Sequence, residues 1–291
     1  RLPYPMFISF GTASVLFLVA WHVALYLSCQ FIEFSPRICE WGGWKTLRRV
    51  TVALTIVLTI FGVILSTLHQ SALGAMFLLT PGKLHPLWYS PYLPVLFFVS
   101  AIAAGLCMVI FVSFLTQRFF RNRADTGYLA SLDNVTLGLG TAASFVLITY
   151  FALKVLALAH GNHWNLLNSP LGYWYLVEVV IFVLLPCFLF VYGSRKRKVG
   201  LVQFTAIFTI IGVVINRLNV SLIVLNWNLP HRELFNWKEF LIVIAIVAIE
   251  VLVYRWIVNR MPVLREHREH EGEQTLQTAT KEQVGVASRS E

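Results

Sequence analysis

The sequence predicts an all-α protein, a polytopic bundle of about seven transmembrane helices. Apolar residues make up 57% of the 291 residues and charged residues only 13%, whereas soluble domains have about 45–50% and about 25%. The mean hydropathy of +0.71 is too high for one soluble core. The apolar surplus lies in blocks of about 19–26 residues, the length of a helix that crosses the hydrocarbon layer.

Seven such blocks follow one another along the chain. They cover residues 11–32, 50–68, 92–116, 135–159, 171–192, 200–225 and 238–258. Each block is long enough to span, and Pro, Gly or charged residues separate neighbouring blocks. We therefore predict a transmembrane bundle over residues 1–261. Residues 262–291 are polar and lack apolar periodicity, so they are predicted to form a cytoplasmic tail.

Basic residues set the predicted orientation. Fifteen lysines and arginines follow the first, third, fifth and seventh blocks, among them the RKRK run at 195–198. Because such clusters remain in the cytoplasm, this side is predicted to face the cytoplasm of a bacterial inner membrane. The net charge of +9 then serves orientation, and we expect no nucleic-acid partner. Lys154, near the outer end of its block, is expected to snorkel outward.

The same orientation makes three loops external, at 69–91, 160–170 and 226–237. The first carries a short apolar stretch and is predicted to fold back against the membrane surface or over the bundle. Five tryptophans lie near the outer interface, and an aromatic belt is predicted to account for most of them: Trp88, Trp164, Trp174, Trp227 and Trp237. Residue 1 also lies outside, directly before a span and without an initiator Met or signal peptide, so we expect an odd number of spans to precede it.

The four cysteines do not form a recognisable cofactor motif. Cys29, Cys39, Cys107 and Cys187 are scattered, with no C-x-x-C and no C-x-x-C-H, which argues against an iron–sulfur cluster or a covalently attached haem in this chain. A b-type haem needs paired histidines within the bundle, and only His22 lies clearly inside a block. We predict neither a haem nor a metal site.

Two ionisable residues inside the blocks lie at the same predicted depth. Glu178 comes about seven residues after the outer start of the fifth block, and Arg217 about eight before the outer end of the sixth, so both lie about 10–12 Å below the outer boundary. Each is costly in hydrocarbon, and an acid and a base at one depth are expected to pair. His69 and Gln70 end the second block beside this layer.

Two interpretations of this layer remain open. One is a polar pocket for a quinone, in which His and Arg hydrogen-bond the two quinone oxygens and Glu178 exchanges protons. The other is a structural Glu–Arg pair that fastens two helices together. Glu250 and His22 fall toward the inner half, where they either extend a proton path to the cytoplasm or are satisfied by neighbouring helices.

Several stretches resemble one family, in that family's order along the chain. They are RLPYP at the start, SVLFLVA and EWGGWK between residues 14 and 45, STLHQSALGAMFLLTPGKLHPLWYS at 66–90, SAIAAGLCMVIF at 100–111, WYLVEVVIFVLLP at 174–186, INRLNVSLI at 215–223 and VAIEVLVY at 247–254. The chain is similar to the HybB-type integral membrane subunits of respiratory nickel–iron hydrogenases, in the NrfD/PsrC superfamily. Members usually have about ten spans, so three are expected to be missing at the front.

The resemblance implies a quinone-reactive membrane subunit without a redox cofactor of its own. A periplasmic iron–sulfur subunit would dock on the outer face and exchange electrons with menaquinone or ubiquinone, the exchangeable substrate, with a nickel–iron hydrogenase or a related catalytic subunit beyond it. The family's quinone-side corner corresponds to His69, Gln70, Ser71 and Gly74. Its intramembrane glutamate corresponds to Glu178 and its arginine to Arg217.

The chain departs from the family pattern at two positions. Leu18 and Val112 stand where the pattern has Glu, which weakens the expectation of transmembrane proton translocation and is compatible with a polysulfide, nitrite or cytochrome-linked partner in place of a hydrogenase. A purely structural anchor is the alternative within the family. A transporter with an intramembrane Glu–Arg site is disfavoured, because the sequence contains no convincing inverted repeat.

Overall fold

The computed structural model describes residues 14–119, 126–228 and 237–260. Its helices are α1 Val15–Trp41, α2 Lys45–Leu78, α3 Leu93–Phe119, α4 Thr126–Gly161, α5 Pro170–Val179, α6 Leu185–Arg195, α7 Val199–Leu218 and α8 Trp237–Arg260. The π turns Val180–Leu184 and Asn219–Ile223 follow α5 and α7. With α5 and α6 as one span, seven segments among these residues are long and apolar enough to cross a membrane. The all-α fold class is confirmed.

The first two helices extend beyond their predicted blocks. α1 continues through Pro36 to Trp41. α2 continues to Leu78, so residues 69–78, predicted as the start of an outer loop, are helical instead. No proline lies within this stretch, and the first one after it is Pro81. The next residue, Gly82, adopts a left-handed φ of +86° in the turn after the helix.

The chain falls into two compact units, which are described separately. The first comprises the described residues of Arg1–Gln30 and Val57–Phe235. In it, α3, α4, α6 and α7 pack around one core cluster whose most buried members include Cys107, Ile110 and Phe190. A second cluster, which includes Leu84, Trp88, Phe97 and Val224, closes the end of this unit where α3 begins and α7 ends.

The second unit comprises the described residues of Phe31–Ile56 and Asn236–Glu291. Its α1–α2 turn contains Gly43, with a φ of +76°, and Glu40 pairs there with Arg37 at 3.4 Å and with Arg48 at 4.0 Å. Glu250 lies on α8 with its side chain exposed. The predicted tail, 262–291, lies outside the described residues, as does most of the 226–237 loop.

A buried carboxylate as the candidate functional site

Glu178 is the best-connected ionisable side chain in the first unit. It lies near the end of α5 and is only 2% exposed. Its Oε1 accepts hydrogen bonds from Lys154 Nζ at 3.3 Å and Asn216 Nδ2 at 2.6 Å, and its Oε2 accepts from Trp88 Nε1 at 2.9 Å and from Asn219 Nδ2. These donors occupy all of the roughly four acceptor positions of a carboxylate.

The positive partner of Glu178 is Lys154 and not the predicted Arg217. The predicted outward position of Lys154 was also wrong, because this side chain is 5% exposed. Its Nζ lies 5.8 Å and 5.2 Å from the ring centroids of Tyr150 and Tyr175, close enough for cation–π attraction. The buried carboxylate draws the ammonium inward, because both charges are costly in an apolar bundle unless they are paired.

Arg217, the predicted partner of Glu178, points to another neighbour. Its Nη2 donates to Ser100 Oγ at 2.8 Å and to the Phe97 carbonyl oxygen at 3.3 Å. Its guanidinium carbon lies 3.6 Å from the centroid of the Phe97 ring. The reason is helical periodicity: Asn216 and Asn219 share one face of the helix and reach Glu178, whereas Arg217 is rotated by about 100° from Asn216.

Two π turns accompany this site. The turn Val180–Leu184 begins just after Glu178, and the Leu185 N–H bonds the Val180 carbonyl oxygen, five residues back. Pro186 explains it, since a proline in a helix cannot donate to the carbonyl four residues earlier and crowds it. The second π turn starts at Asn219 itself. Such turns are frequent at functional sites because they re-aim side chains.

The 79–92 segment, between α2 and α3, supplies one of the hydrogen-bond donors to Glu178. Trp88 is 2% exposed and hydrogen-bonds Glu178, so it is not one of the tryptophans of the predicted aromatic belt. Neighbouring His85 is also buried. Its backbone N–H donates to the Val224 carbonyl oxygen, and its ring stands edge-on to the rings of Trp88 and Trp227. Of the 69–91 segment, predicted to fold back against the membrane surface or over the bundle, residues 84–90 pack into the second core cluster of the first unit.

The last third of α2 contains the predicted quinone-side residues His69, Gln70, Ser71 and Gly74. Gly74 is buried, and the other three are partly exposed. The ring of Phe97 connects this stretch to Arg217, because Phe97 packs against Gly74 and lies under the guanidinium. His22, on α1, lies close enough to His69, on α2, for the charges of the two rings to interact.

Three buried side-chain nitrogens around this corner have no hydrogen-bond partner among the described residues: Arg217 Nη1, His69 Nδ1 and His22 Nδ1. A buried unsatisfied donor or acceptor costs about 1–3 kcal/mol. This corner therefore retains unused hydrogen-bonding capacity.

A small cavity touches Glu178. Its volume is about 20 Å³, and its lining includes Glu178, Ser100, Tyr150, Thr209 and Asn216. That volume holds one water molecule and is too small for a quinone ring. Ser100 also accepts a hydrogen bond from Arg217. The cavity therefore lies between the Glu178 carboxylate and a side chain that contacts Arg217.

Sequence reasoning missed Lys154, Trp88, Asn216 and Asn219 as partners of Glu178. Two signals were present. Lys154 interrupts the apolar run FALKVLAL, and the two asparagines stand three residues apart in INRLN, on one helical face. No local signal identifies Trp88, since its position depends on how the 79–92 segment folds.

Comparison with known proteins decides the family. The profile described as "Polysulphide reductase, NrfD" matches residues 4–226. The chain belongs to the NrfD family. A protein of Nitratidesulfovibrio vulgaris (strain Hildenborough) is 48% identical over 272 residues, which cover 93% of this chain and 70% of that protein. No solved structure matches the chain.

A second relative of this NrfD-family chain carries a functional name. The probable Ni/Fe-hydrogenase 2 b-type cytochrome subunit of Escherichia coli (strain K12) is 28% identical over 274 residues, covering 90% of this chain and 67% of that protein. The resemblance to HybB-type membrane subunits is thereby confirmed. The chain is a polytopic membrane subunit related to a hydrogenase subunit.

Gly74 has a packing role that a substitution can measure. A Cβ at this position would lie 2.8 Å from the Leu93 carbonyl oxygen and 3.0 Å from Phe97 Cγ. Gly74→Ala is therefore expected to push α2 away from α3 and to destabilise the protein by about 1–3 kcal/mol. The thermal unfolding midpoint of the detergent-solubilised full chain measures this loss.

Gly105→Ala on α3 is the matched control, because a Cβ there meets nothing within 4 Å. Its midpoint should be unchanged or slightly raised. If Gly74→Ala leaves the midpoint unchanged, the close approach of α2 to α3 is incorrect.

Proposed function

We propose that this NrfD-family chain is the quinone-reactive membrane subunit of a multi-subunit respiratory oxidoreductase. Electrons pass between an iron–sulfur subunit docked on the outer face and menaquinone or ubiquinone in the bacterial inner membrane. A nickel–iron hydrogenase or a related catalytic subunit lies beyond the iron–sulfur subunit. The observation that carries the proposal is the buried Lys154–Glu178 pair, which adjoins a water-sized cavity and an arginine with a free donor.

The quinone binds at the corner formed by the end of α2 and by Arg217. Reduction turns each quinone carbonyl into a hydroxyl, and both carbonyl oxygens accept hydrogen bonds before it. Arg217 Nη1 and His69 Nδ1 have no hydrogen-bond partner among the described residues, and with Nδ1 protonated both would donate to the quinone oxygens. Gln70 and Ser71 supply further polar groups on the same helix, while Gly74 keeps α2 against Phe97.

Proton exchange falls to Glu178. A quinone that takes up two electrons also takes up two protons, and hydrocarbon does not conduct protons. A water in the cavity would link Glu178 to Ser100, and Ser100 already contacts Arg217. For Glu178 to accept a proton, one of its four donors must turn away. Asn216 is suited to this, since rotation of its amide presents an oxygen in place of the NH2 group. We propose His22 and Glu250 as further members of the path toward the cytoplasm.

A b-type haem is not part of the proposal, although the name of the E. coli relative includes a b-type cytochrome. The cavity beside Glu178 is not lined by a histidine, so it does not offer the paired histidines that hold a b-type haem. The proposed quinone chemistry needs no redox group in this chain, because the iron–sulfur subunit delivers the electrons.

One observation favours a second candidate, a structural anchor without quinone turnover. The four donors around Glu178 satisfy the carboxylate completely, as expected of a polar network that locks helices together. Assay of the intact complex, reconstituted with its partner subunits, separates the two candidates. The first predicts quinone turnover that a quinone-site inhibitor blocks, and the anchor predicts none.

Arg217 variants test the placement of the quinone. We expect Arg217→Gln to raise the KM for quinone about tenfold or more, with a smaller change in kcat, because a charged hydrogen-bond donor to the bound quinone is lost. Arg217→Lys should restore part of the affinity, since it keeps the charge but not the planar fork. Steady-state kinetics of the reconstituted complex measure both values.

Arg49→Gln is the control, because Arg49 is exposed on the first turns of α2. It should leave KM unchanged. An Arg217→Gln complex with the normal KM would remove Arg217 from the quinone site.

A further inference from the structure

A groove runs along the first unit, between α4 and α6, at the opposite end from Glu178. Its volume is about 650 Å³, and its mouth lies at Arg195, where α6 ends. Arg195 comes seventeen residues after Glu178 on one nearly continuous helix, which places the mouth about 25 Å from the carboxylate. The groove is thus separate from the proposed quinone corner.

The floor of the groove is open because its side chains are small. Gly138 lies on the floor, and a Cβ there would meet nothing within 4 Å. Thr141 and Ser144 also line it, but their hydroxyls donate to backbone carbonyl oxygens of their own helix, at 3.0 Å and 2.7 Å. These hydroxyls are satisfied without a ligand. The floor therefore presents carbon surface to whatever lies in the groove.

Aromatic side chains flank this floor and face outward. Phe145 and Phe188 line the groove and are 69% and 63% exposed. Both belong to segments apolar enough to span the membrane, so their exposed rings lie at the depth of the hydrocarbon core. Ile148, the deepest α4 residue of the lining, follows Asn134 at the mouth by fourteen residues, a distance of about 21 Å along the helix. That length exceeds half of the roughly 30 Å hydrocarbon core, which is the reach of one lipid tail.

The mouth of the groove is cationic. Arg195 and Arg197 line it together with Asn134. Arg197 donates to Asn134 Oδ1 at 2.7 Å, which holds the guanidinium over the opening. Arg195 has no ion-pair partner among the described residues. The candidate spans Leu132–Gly161 and Pro170–Arg195 both end at this level, so the arginines lie where phospholipid headgroups lie.

We propose that this groove is a binding site for an anionic phospholipid, with the phosphate at Arg195 and Arg197 and one acyl chain along Phe145 and Phe188. A cationic mouth above an apolar channel of this length complements an anionic headgroup attached to a tail. A zwitterionic lipid offers the same tail without the net charge, and a quinone offers no anion at all. Each basic residue near an anionic headgroup strengthens lipid binding about 5.4-fold, so the pair gives about 30-fold.

The test uses the full chain in its complex, delipidated in mild detergent and titrated with phosphatidylglycerol or phosphatidylcholine while native mass spectrometry counts the bound lipids. We expect one tightly bound phosphatidylglycerol and much weaker phosphatidylcholine. The double substitution Arg195→Gln/Arg197→Gln should weaken phosphatidylglycerol binding about 30-fold. Gly138→Leu, which fills the floor, should weaken both lipids.

Lys45→Gln/Arg49→Gln is the matched control, because it removes two exposed charges from α2 and should leave lipid binding unchanged. The proposal is overturned if phosphatidylcholine binds as tightly as phosphatidylglycerol, or if the Arg195→Gln/Arg197→Gln variant retains normal affinity. It is also overturned if inorganic phosphate competes fully with the lipid while Gly138→Leu has no effect, since the site would then recognise a free phosphate. Thermal unfolding of each variant identifies any that fails to fold, and the arginine pair, being exposed, provides the decisive variant.

Discussion

Replacing Lys154 with Met is expected to destabilise the protein by about 3–5 kcal/mol, because the change leaves a buried carboxylate without its counter-charge. The side chains of Lys154 and Glu178 are only 6% and 2% exposed, and their charged atoms lie 3.3 Å apart. Three hydrogen bonds to Glu178 remain in the variant, but none of these donors carries a charge. The thermal unfolding midpoint of the full chain in detergent measures the loss.

The double substitution Lys154→Met/Glu178→Gln separates the loss of the pair from the loss of one partner. It removes both charges while keeping similar volumes, so most of the lost stability should return, as it does when a buried ion pair is replaced as a whole. Lys45→Met, at an exposed position of α2, should change the midpoint little. Equal midpoints for Lys154→Met and the unsubstituted protein would mean that the two charges are not paired in the bundle.

The fold could be predicted from hydropathy because membrane helices depend on length and apolarity, and both are local properties. All seven predicted blocks correspond to helices long enough to span. The end of α2 was misplaced because His69, Gln70 and Ser71 lower the local hydropathy without breaking a helix. The helix continues to Leu78, and Pro81 and the left-handed Gly82 lie in the turn that follows it.

Of the candidate site, the sequence could predict only its depth in the membrane. Counting residues gives the depth of Glu178 and Arg217, but pairing also depends on the rotation of each helix about its axis. That rotation turns Asn216 and Asn219 toward Glu178 and turns Arg217 toward Phe97 and Ser100. Trp88 reaches the carboxylate from a non-helical segment, so no periodicity could have placed it.

The role of Glu178 itself remains a prediction, and the ion pair changes how it must be tested. Glu178→Gln alone removes the titrating group but also leaves Lys154 buried without its anion, so a slow enzyme could reflect either change. The double substitution Lys154→Met/Glu178→Gln avoids this ambiguity, because it leaves no unpaired charge at the site.

If Glu178 exchanges protons with the quinone, the reconstituted Lys154→Met/Glu178→Gln complex should assemble normally and bind quinone with the usual KM. Its kcat should fall by about 10²-fold or more, the usual scale for loss of a proton-transfer group. Glu178→Asp, which retains a carboxylate, should keep a larger share of the activity. A double variant that assembles and turns over quinone at the normal rate would leave Glu178 with a structural role, because the protons would then reach the quinone by a route that does not include Glu178.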